Sequence, residues 1–390
     1  MRCLFFILVA FALAQPARGG AAGCAAPASI GDGWEIAAPA EVGLDGEALC
    51  AALEPIRAGN ANVHAVVVVR HGRLVAELYR AGLDRSIWSV ATSETEFGPS
   101  VLHDLRSVSK SVVGLLVGIA LQEGKIPSVD TPALSFFPEY PELRSPDREA
   151  ITLAHLLSMS SGLDWNESLA TYGTLRNDET RLYWDWAPAR FVLGRPIAAP
   201  PGTVFNYNGG GTAVLADVLE RTTHQPLREL VERELFAPLG IDHWEWVRDL
   251  WRRSIAFAGL RMRPRDLAKV GSMLLDHGQW QGRQIVPAEW VTESLRPRIA
   301  TGEGIDYGYQ WWVGSAEWRG RRLAWGAAFG NGGQRLFLVP DLDLAVVTTA
   351  GAYNQREIGA TLASLFQAIV AAATDPSTPV TPSATPTYER

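Results

Sequence analysis

The apolar run Val112–Leu121 (VVGLLVGIAL) constrains the fold of this chain more than any other stretch. Val108, Val112, Val113, Leu115, Leu116, Val117, Ile119 and Leu121 cover more than one stripe of a helical wheel. A helix of that pattern is buried on most sides, and Gly114 and Gly118 let its neighbours come close. It therefore needs other elements packed around it. Directly before it stands Arg106-Ser107-Val108-Ser109-Lys110-Ser111. In a helix Ser107 falls in the first turn and Lys110 one turn later, on the same face. Unpaired N–H groups and the positive end of the helix dipole favour the anion formed when a carbonyl is attacked. A free lysine titrates near about 10.4, and burial beside positive charge lowers that toward the range of a useful base. The competing reading makes Ser107 a helix cap and Lys110 a solvated residue. The spacing alone does not choose between them.

Around this helix the pattern is strands, then helices, then strands and a last helix. Val63–Arg70 and Arg73–Tyr79 form a hairpin over His71-Gly72, and Val66–Val69 is apolar on both faces, as in a central strand. Asp45–Arg57 has helical spacing, with Pro55 expected to end it early. Residues 80–105 read as irregular. Helical patterns recur at 151–159, 212–221, 227–236, 263–275 and 288–295. Strand patterns follow at 307–313, 321–325, 334–339 and 344–349, and a helix at about 356–372. The predicted class is α/β (α+β): a mainly antiparallel sheet from both chain ends, flanked by helices, with a helical region at about 103–254 inserted and a cleft between the two.

Residues 1–14, a positive start followed by an apolar run ending in Ala12-Leu13-Ala14, read as a signal peptide for export to the periplasm or medium. Residues 15–32 read as a flexible arm, 33–373 as one catalytic domain and 374–390 as a disordered Thr/Pro-rich tail. Ala21-Ala22-Gly23-Cys24 is a weaker, lipoprotein-like alternative. Cys24 and Cys50 could form a disulfide, or Cys50 could be a small buried residue. The net charge of −7 offers no basic surplus for nucleic acid. No run is comfortable as a membrane span, no His/Cys cluster suggests a metal site, and a monomer is expected.

Two further stretches carry chemistry. Tyr207 lies in the Gly-rich turn Phe205-Asn206-Tyr207-Asn208-Gly209-Gly210-Gly211, where a phenol can point into a cleft and relay a proton. Phe329-Gly330-Asn331-Gly332-Gly333-Gln334 enters a strand with little side-chain bulk, which lets backbone N–H groups approach a substrate carbonyl. The aromatic and charged stretch from Trp165 to Trp186 suits a cleft wall, with Asp178 and Trp186 as candidate substrate contacts.

Ser107-x-x-Lys110, Tyr207 and Gly330-Asn331-Gly332-Gly333, in this order, resemble the serine β-lactamase and penicillin-recognising superfamily, closest to class C-like esterases and 6-aminohexanoate-dimer hydrolases. Leu156–Leu163 and Pro238-Leu239-Gly240-Ile241 add to the likeness, which spans about 33–372. The resemblance implies that Ser107 is acylated, Lys110 is its base and Tyr207 shares proton transfer. It also implies that the N–H groups of Ser107 and Gly333 hold the oxyanion, and that water then attacks the acyl-enzyme without metal or organic cofactor. Asn208 and Asn331 are further candidate substrate contacts. Two departures stand out. Gly209 replaces the Asn or Ser of Tyr-x-Asn/Ser, a place Asn208 fills only if the turn differs. Gly330 replaces the Lys or His that holds a β-lactam carboxylate. An ester or small linear amide is thus the expected substrate, ahead of a β-lactam or a D,D-peptide. Rival readings are a hydrolase that uses His103 with Asp104, or His155, and a non-catalytic cell-wall-binding or sensor protein. No G-x-S-x-G or H-E-x-x-H occurs.

Overall fold

A computed structural model describes residues 26–374. The expected signal peptide, Cys24 and residues 375–390 lie outside them; Cys50 is disulfide-bonded. The eight-stranded antiparallel sheet is built from β1 (Val63–Arg70), β2 (Arg73–Tyr79), β3 (Ile299–Ala300), β4 (Asp306–Tyr307), β5 (Trp312–Trp318), β6 (Arg321–Gly330), β7 (Gln334–Val339) and β8 (Leu344–Ala350), in the order β3-β4-β5-β6-β7-β8-β1-β2. The join of β8 with β1 unites the two ends of the chain. All eight residues of β1 are buried, as its two apolar faces require. His71 and Gly72 both take positive φ (51° and 68°), which closes a two-residue turn matching the strand twist.

One face of the sheet is covered by α1 (Gly46–Arg57) and the C-terminal helix α5 (Ile358–Ala371), with Leu49, Leu53, Leu362, Phe366 and Ile369 in a shared core. Asp45 caps α1 by accepting from Glu47 N and Ala48 N at 2.9 and 3.0 Å. Pro55 does not end this helix early. It sits in the last turn, where one lost N–H is tolerated, and Ala58 N donating to Glu54 O at 2.8 Å keeps that turn closed. On the other face α4 (Pro264–Leu275) lies against the sheet, and a second, larger core joins it to the inserted helical region. At the centre of that region are α2 (Val108–Gln122) and α3 (Gly209–Thr223). Among the described residues no helix is long and apolar enough to cross a membrane.

Two differences from the sequence reading position the site. The single strand expected over 307–313 is instead the end of β4 and the start of β5, which pair antiparallel because the chain turns at Gln310 (φ 66°). Gln310 Nε2 donates to Leu156 O and Leu157 O, its Oε1 accepts from Thr212, and its carbonyl accepts from Ser111. This buried polar knot ties the sheet to α2 and α3, and hydropathy patterning has no signal for it. Residues 80–105 are less irregular than expected: Gly82–Asp84 pairs with Ser93–Thr95, and His103–Asp104 pairs with Leu260–Met262.

The close approach expected at Gly118 is real. A Cβ there would lie 2.0 to 2.3 Å from the Trp290 ring, whose Nε1 donates to Gly114 O at 2.9 Å. Gly118→Ala is expected to cost roughly 2–3 kcal/mol through overpacking, read as a lower urea midpoint at unchanged slope.

Candidate active site

Ser107 stands at the start of α2 with helical backbone angles (φ −64°, ψ −7°), and its side chain caps nothing. The hydroxyl is left for other partners. Arg106, just before it, takes φ 51°, so a non-glycine residue in the left-handed region turns the chain into the helix.

Lys110 is 1% exposed. Its Nζ donates to Ser107 Oγ at 3.0 Å, Glu179 Oε2 at 2.9 Å and Phe257 O at 3.0 Å. Three donors meet three acceptors, which is the full capacity of an ammonium group. Glu167 Oε1 adds a second negative charge at 3.7 Å. Burial opposes the charge on Lys110, but Glu179, Tyr207 and Glu167 outweigh it and hold its pKa above the ordinary lysine value. The sequence expectation was the reverse, because desolvation is visible in an apolar run and a carboxylate brought in from 69 residues away is not. Glu179 in turn is pushed up, first by burial and then by Glu167, with Lys110 pulling the other way.

Glu167 is held as a carboxylate would be, by three donors: Gly209 N at 2.7 Å, Trp165 Nε1 at 2.8 Å and Tyr172 OH at 3.0 Å. Asn177 joins its segment to the Glu179 turn (Asp178–Leu182): the side chain caps Thr180 N at 3.1 Å and donates to Glu167 O and Ala170 O. These carboxylates explain Gly209. A Cβ there would lie 2.5 Å from Glu179 Oε2 and 3.1 Å from Glu167 Oε2. The polar group missing after Tyr207 is thus replaced from another element, and Glu179 fills its space.

The Tyr207 phenol lies beside Ser107, its ring stacks on Trp312 with centroids 5.7 Å apart, and Lys110 Nζ lies 5.0 Å from the ring centre. Burial raises the phenol's pKa while Lys110 pulls it down. Asn208 does not take the vacated role, since its Oδ1 caps α3 at Gly211 N (3.0 Å). Gly333 is turned away from Ser107. Its N–H reaches Gly330 O at 3.3 Å, and a Cβ there would meet Ala350, Ile358 and Leu362 in the core behind. Gly330 is the residue that packs against the segment leading into α2: a Cβ there would lie 2.3 Å from Leu105 O, so only glycine lets the end of β6 pass. The last pair between β5 and β6 is Trp312 with Ala327, which leaves residues 328–330 without a strand partner on that edge.

Ser107 opens into a cleft of about 980 Å³. Asn331 lines it, paired with Asn354 at 2.8 and 2.9 Å. Tyr172, Tyr183, Trp88 and Trp184 form apolar walls. Asp178 is not there: Arg181 and Arg195 hold it at 3.1 and 3.2 Å, and Glu179 beside it is the residue aimed at Lys110. Trp186 lines a separate hollow with Tyr140 and Arg221. The rival bases are also engaged elsewhere. His103 meets His64 and the Asp104 carbonyl, Asp104 pairs with Arg106 and Arg261, and His155 bonds Thr152. Sequence reading missed Glu167, Glu179 and Phe257, while Tyr172 lines the cleft as its aromatic stretch suggested. The one signal was Gly209, a gap in a polar motif that some other group has to fill.

A serine, a buried lysine and a tyrosine thus meet at the head of a central helix, beside an antiparallel sheet. The Beta-lactamase family model matches residues 52–364, and the chain belongs to that family of serine hydrolases. It is 30% identical over 302 residues to the 6-aminohexanoate-dimer hydrolase of Paenarthrobacter ureafaciens, covering 73% of this chain and 71% of that one. It is 28% identical over 182 residues to esterase EstB of Burkholderia gladioli, 45% of this chain and 44% of that one. Among solved structures, a Bacillus anthracis protein named for the same dimer hydrolase shares the fold, with TM-score 0.67 and 24% identity over 82% of this chain and 81% of that one.

Proposed function

We propose that the protein hydrolyses a small ester or linear amide through an acyl-enzyme on Ser107, and that it works after export by its N-terminal segment. The observation that carries this reading is the unbroken chain Ser107 Oγ, Lys110 Nζ, Glu179 Oε2, with links of 3.0 and 2.9 Å. Lys110 first gives a proton to the Glu179 carboxylate, and the amine so freed takes the Ser107 proton as Oγ bonds to the carbonyl carbon. Lys110 acts here as a proton conductor, and the carboxylate pair is the final base. The oxyanion is met by Ser107 N–H and by the strand-free end of β6 at residues 328–330. On collapse the alcohol or amine leaves with that proton, returned through Lys110 and the Tyr207 hydroxyl. Water then attacks the acyl carbon; its proton follows the same route and restores Ser107.

An ester or linear amide is favoured over a β-lactam for two reasons. Gly330, where a lactamase cation would stand, is sterically bound to remain glycine. The cleft walls are aromatic, which suits an apolar acyl chain. Kinship with a 6-aminohexanoate-dimer hydrolase and an esterase supports the same choice. The test is a panel of p-nitrophenyl esters, linear amides, D-Ala-D-Ala peptides and nitrocefin on one preparation. Esters or amides should turn over at least roughly 10²-fold more efficiently than nitrocefin; the opposite order overturns the assignment. Tyr207→Phe should lower kcat by about 10²-fold with KM nearly unchanged, and more steeply for amides, whose poorer leaving group needs the proton. Equal rates for Tyr207→Phe and wild type would leave Tyr207 a packing residue.

A further inference from the structure

Apart from the Ser107 machinery, the described residues hold a second cluster of buried polar side chains at the foot of the 80–105 excursion. His64 of β1 and His103 are 1% and 0% exposed, and His64 Nδ1 lies 2.8 Å from His103 Nε2. Asp84 Oδ1 is 3.9 Å from His103 Nε2, and one ligand atom from each of the three residues can be chosen within 4.8 Å of the others.

Counting protons shows what this arrangement lacks. Asn62 has its amide fixed by backbone, with Nδ2 donating to Leu83 O at 2.7 Å and Oδ1 accepting from Leu83 N at 3.1 Å. The same Oδ1 faces His64 Nε2 at 3.0 Å, so that nitrogen must carry a proton. His103 Nδ1 faces the Asp104 carbonyl at 2.9 Å and must carry one too. A neutral imidazole has only one N–H. Both are therefore used on carbonyl oxygens, and the two remaining nitrogens point bare lone pairs at each other. Both rings are buried, where an additional, charging proton is disfavoured. Two facing lone pairs in a dry interior repel unless a positive centre lies between them.

We propose that His64, His103 and Asp84 form a binding site for a divalent transition-metal cation, zinc foremost. The donor set, two imidazoles and a carboxylate, suits zinc. Each ring already donates its far N–H to a carbonyl oxygen, the orientation a metal-bound histidine needs. Tetrahedral ligation places two nitrogens roughly 3.3 Å apart, so the pair has to open by about half an ångström. The rings are held from behind: Phe97 stacks on His64 at 4.2 Å, and a Cβ at Gly82 or Gly351 would strike the His64 ring at 2.6 and 2.7 Å. Asp84 reaches the cleft side through Tyr353, whose hydroxyl donates to it at 2.7 Å. The cation would clip the 80–105 excursion to β1 just before the chain enters the Ser107 helix, a structural role distinct from the acyl chemistry.

The test uses the full-length protein, stripped with dipicolinate and then given zinc chloride or cobalt chloride. One zinc per chain is expected by mass spectrometry of the native protein, with a rise in Tm. Cobalt should give visible d–d absorption of a four-coordinate site, displaced by zinc. His64→Gln and Asp84→Asn should each lower zinc affinity by at least about tenfold. Tyr353→Phe removes the contact to Asp84 but no ligand, and should keep the zinc. Stripped wild-type protein that takes up neither zinc nor cobalt overturns the proposal and leaves a proton shared between the rings. Equal zinc binding by His64→Gln overturns it as well, since the ion then sits elsewhere. The wild-type cobalt spectrum decides the matter even if a variant fails to fold.

Discussion

Ser107→Ala is expected to abolish turnover, with a loss of at least roughly 10⁴-fold in kcat/KM, because Ser107 carries the hydroxyl that Lys110 Nζ hydrogen-bonds. A fluorophosphonate should label wild-type protein on the peptide containing Ser107 and leave the variant unlabelled. Stability separates this from the capping alternative. Replacing a true N-cap serine by alanine costs about 1 kcal/mol. Ser107 makes no capping hydrogen bond, so the variant should unfold at the wild-type denaturant midpoint. A clear loss of stability with retained activity would return Ser107 to the role of a helix cap. An active wild type labelled at some other residue would falsify the mechanism outright.

Glu179→Gln has the second largest expected effect, and it carries a pH signature. A carboxylate that accepts the Ser107 proton through Lys110 must be ionised. Burial and the neighbouring Glu167 raise the Glu179 pKa, so activity should fall on the acid side well above the usual carboxylate range of about 4.3. As pH drops through the raised value Glu179 takes up a proton and the relay has nowhere to deliver one. Glutamine keeps the shape and removes the acceptor. The variant should lose about 10²–10³-fold in kcat, change little in KM, and no longer show that acid limb. It should also be less stable, since Lys110 loses one of its two buried counter-charges. If the limb is unchanged and only stability falls, Glu179 merely neutralises Lys110. Gly209→Ala approaches the same site from the other side. Its methyl would sit 2.5 Å from Glu179 Oε2 and should displace the carboxylate, with a loss of kcat and a protein that still folds.

The lesson about legibility lies in these residues. The hairpin over His71-Gly72 was readable because turn chemistry and alternation are local, and β1 was readable as central because both its faces are apolar. The Ser107–Lys110 pair was readable because one helical turn fixes which side chains share a face. Gly333 and Asp178 illustrate the limit. Each was placed in the site by a motif or a segment, and each sits one to three residues from a group that faces it: Gly330 beside Leu105, and Glu179 beside Lys110. Which neighbour points inward depends on strand register and on the phase of a five-residue helical turn, both set by distant packing.

The sequence by itself determined the helix that must be buried, the serine and lysine at its head, and a sheet assembled from both chain ends. All of these follow from periodicities of a few residues. Only the tertiary structure decided the charge of Lys110. An apolar run predicts a desolvated, neutral amine, while Glu167 and Glu179 keep it an ammonium, and an ion pair across 69 residues leaves no local pattern. The same holds for the facing imidazoles of His64 and His103, 39 residues apart, whose missing proton becomes visible only when both ring environments are known.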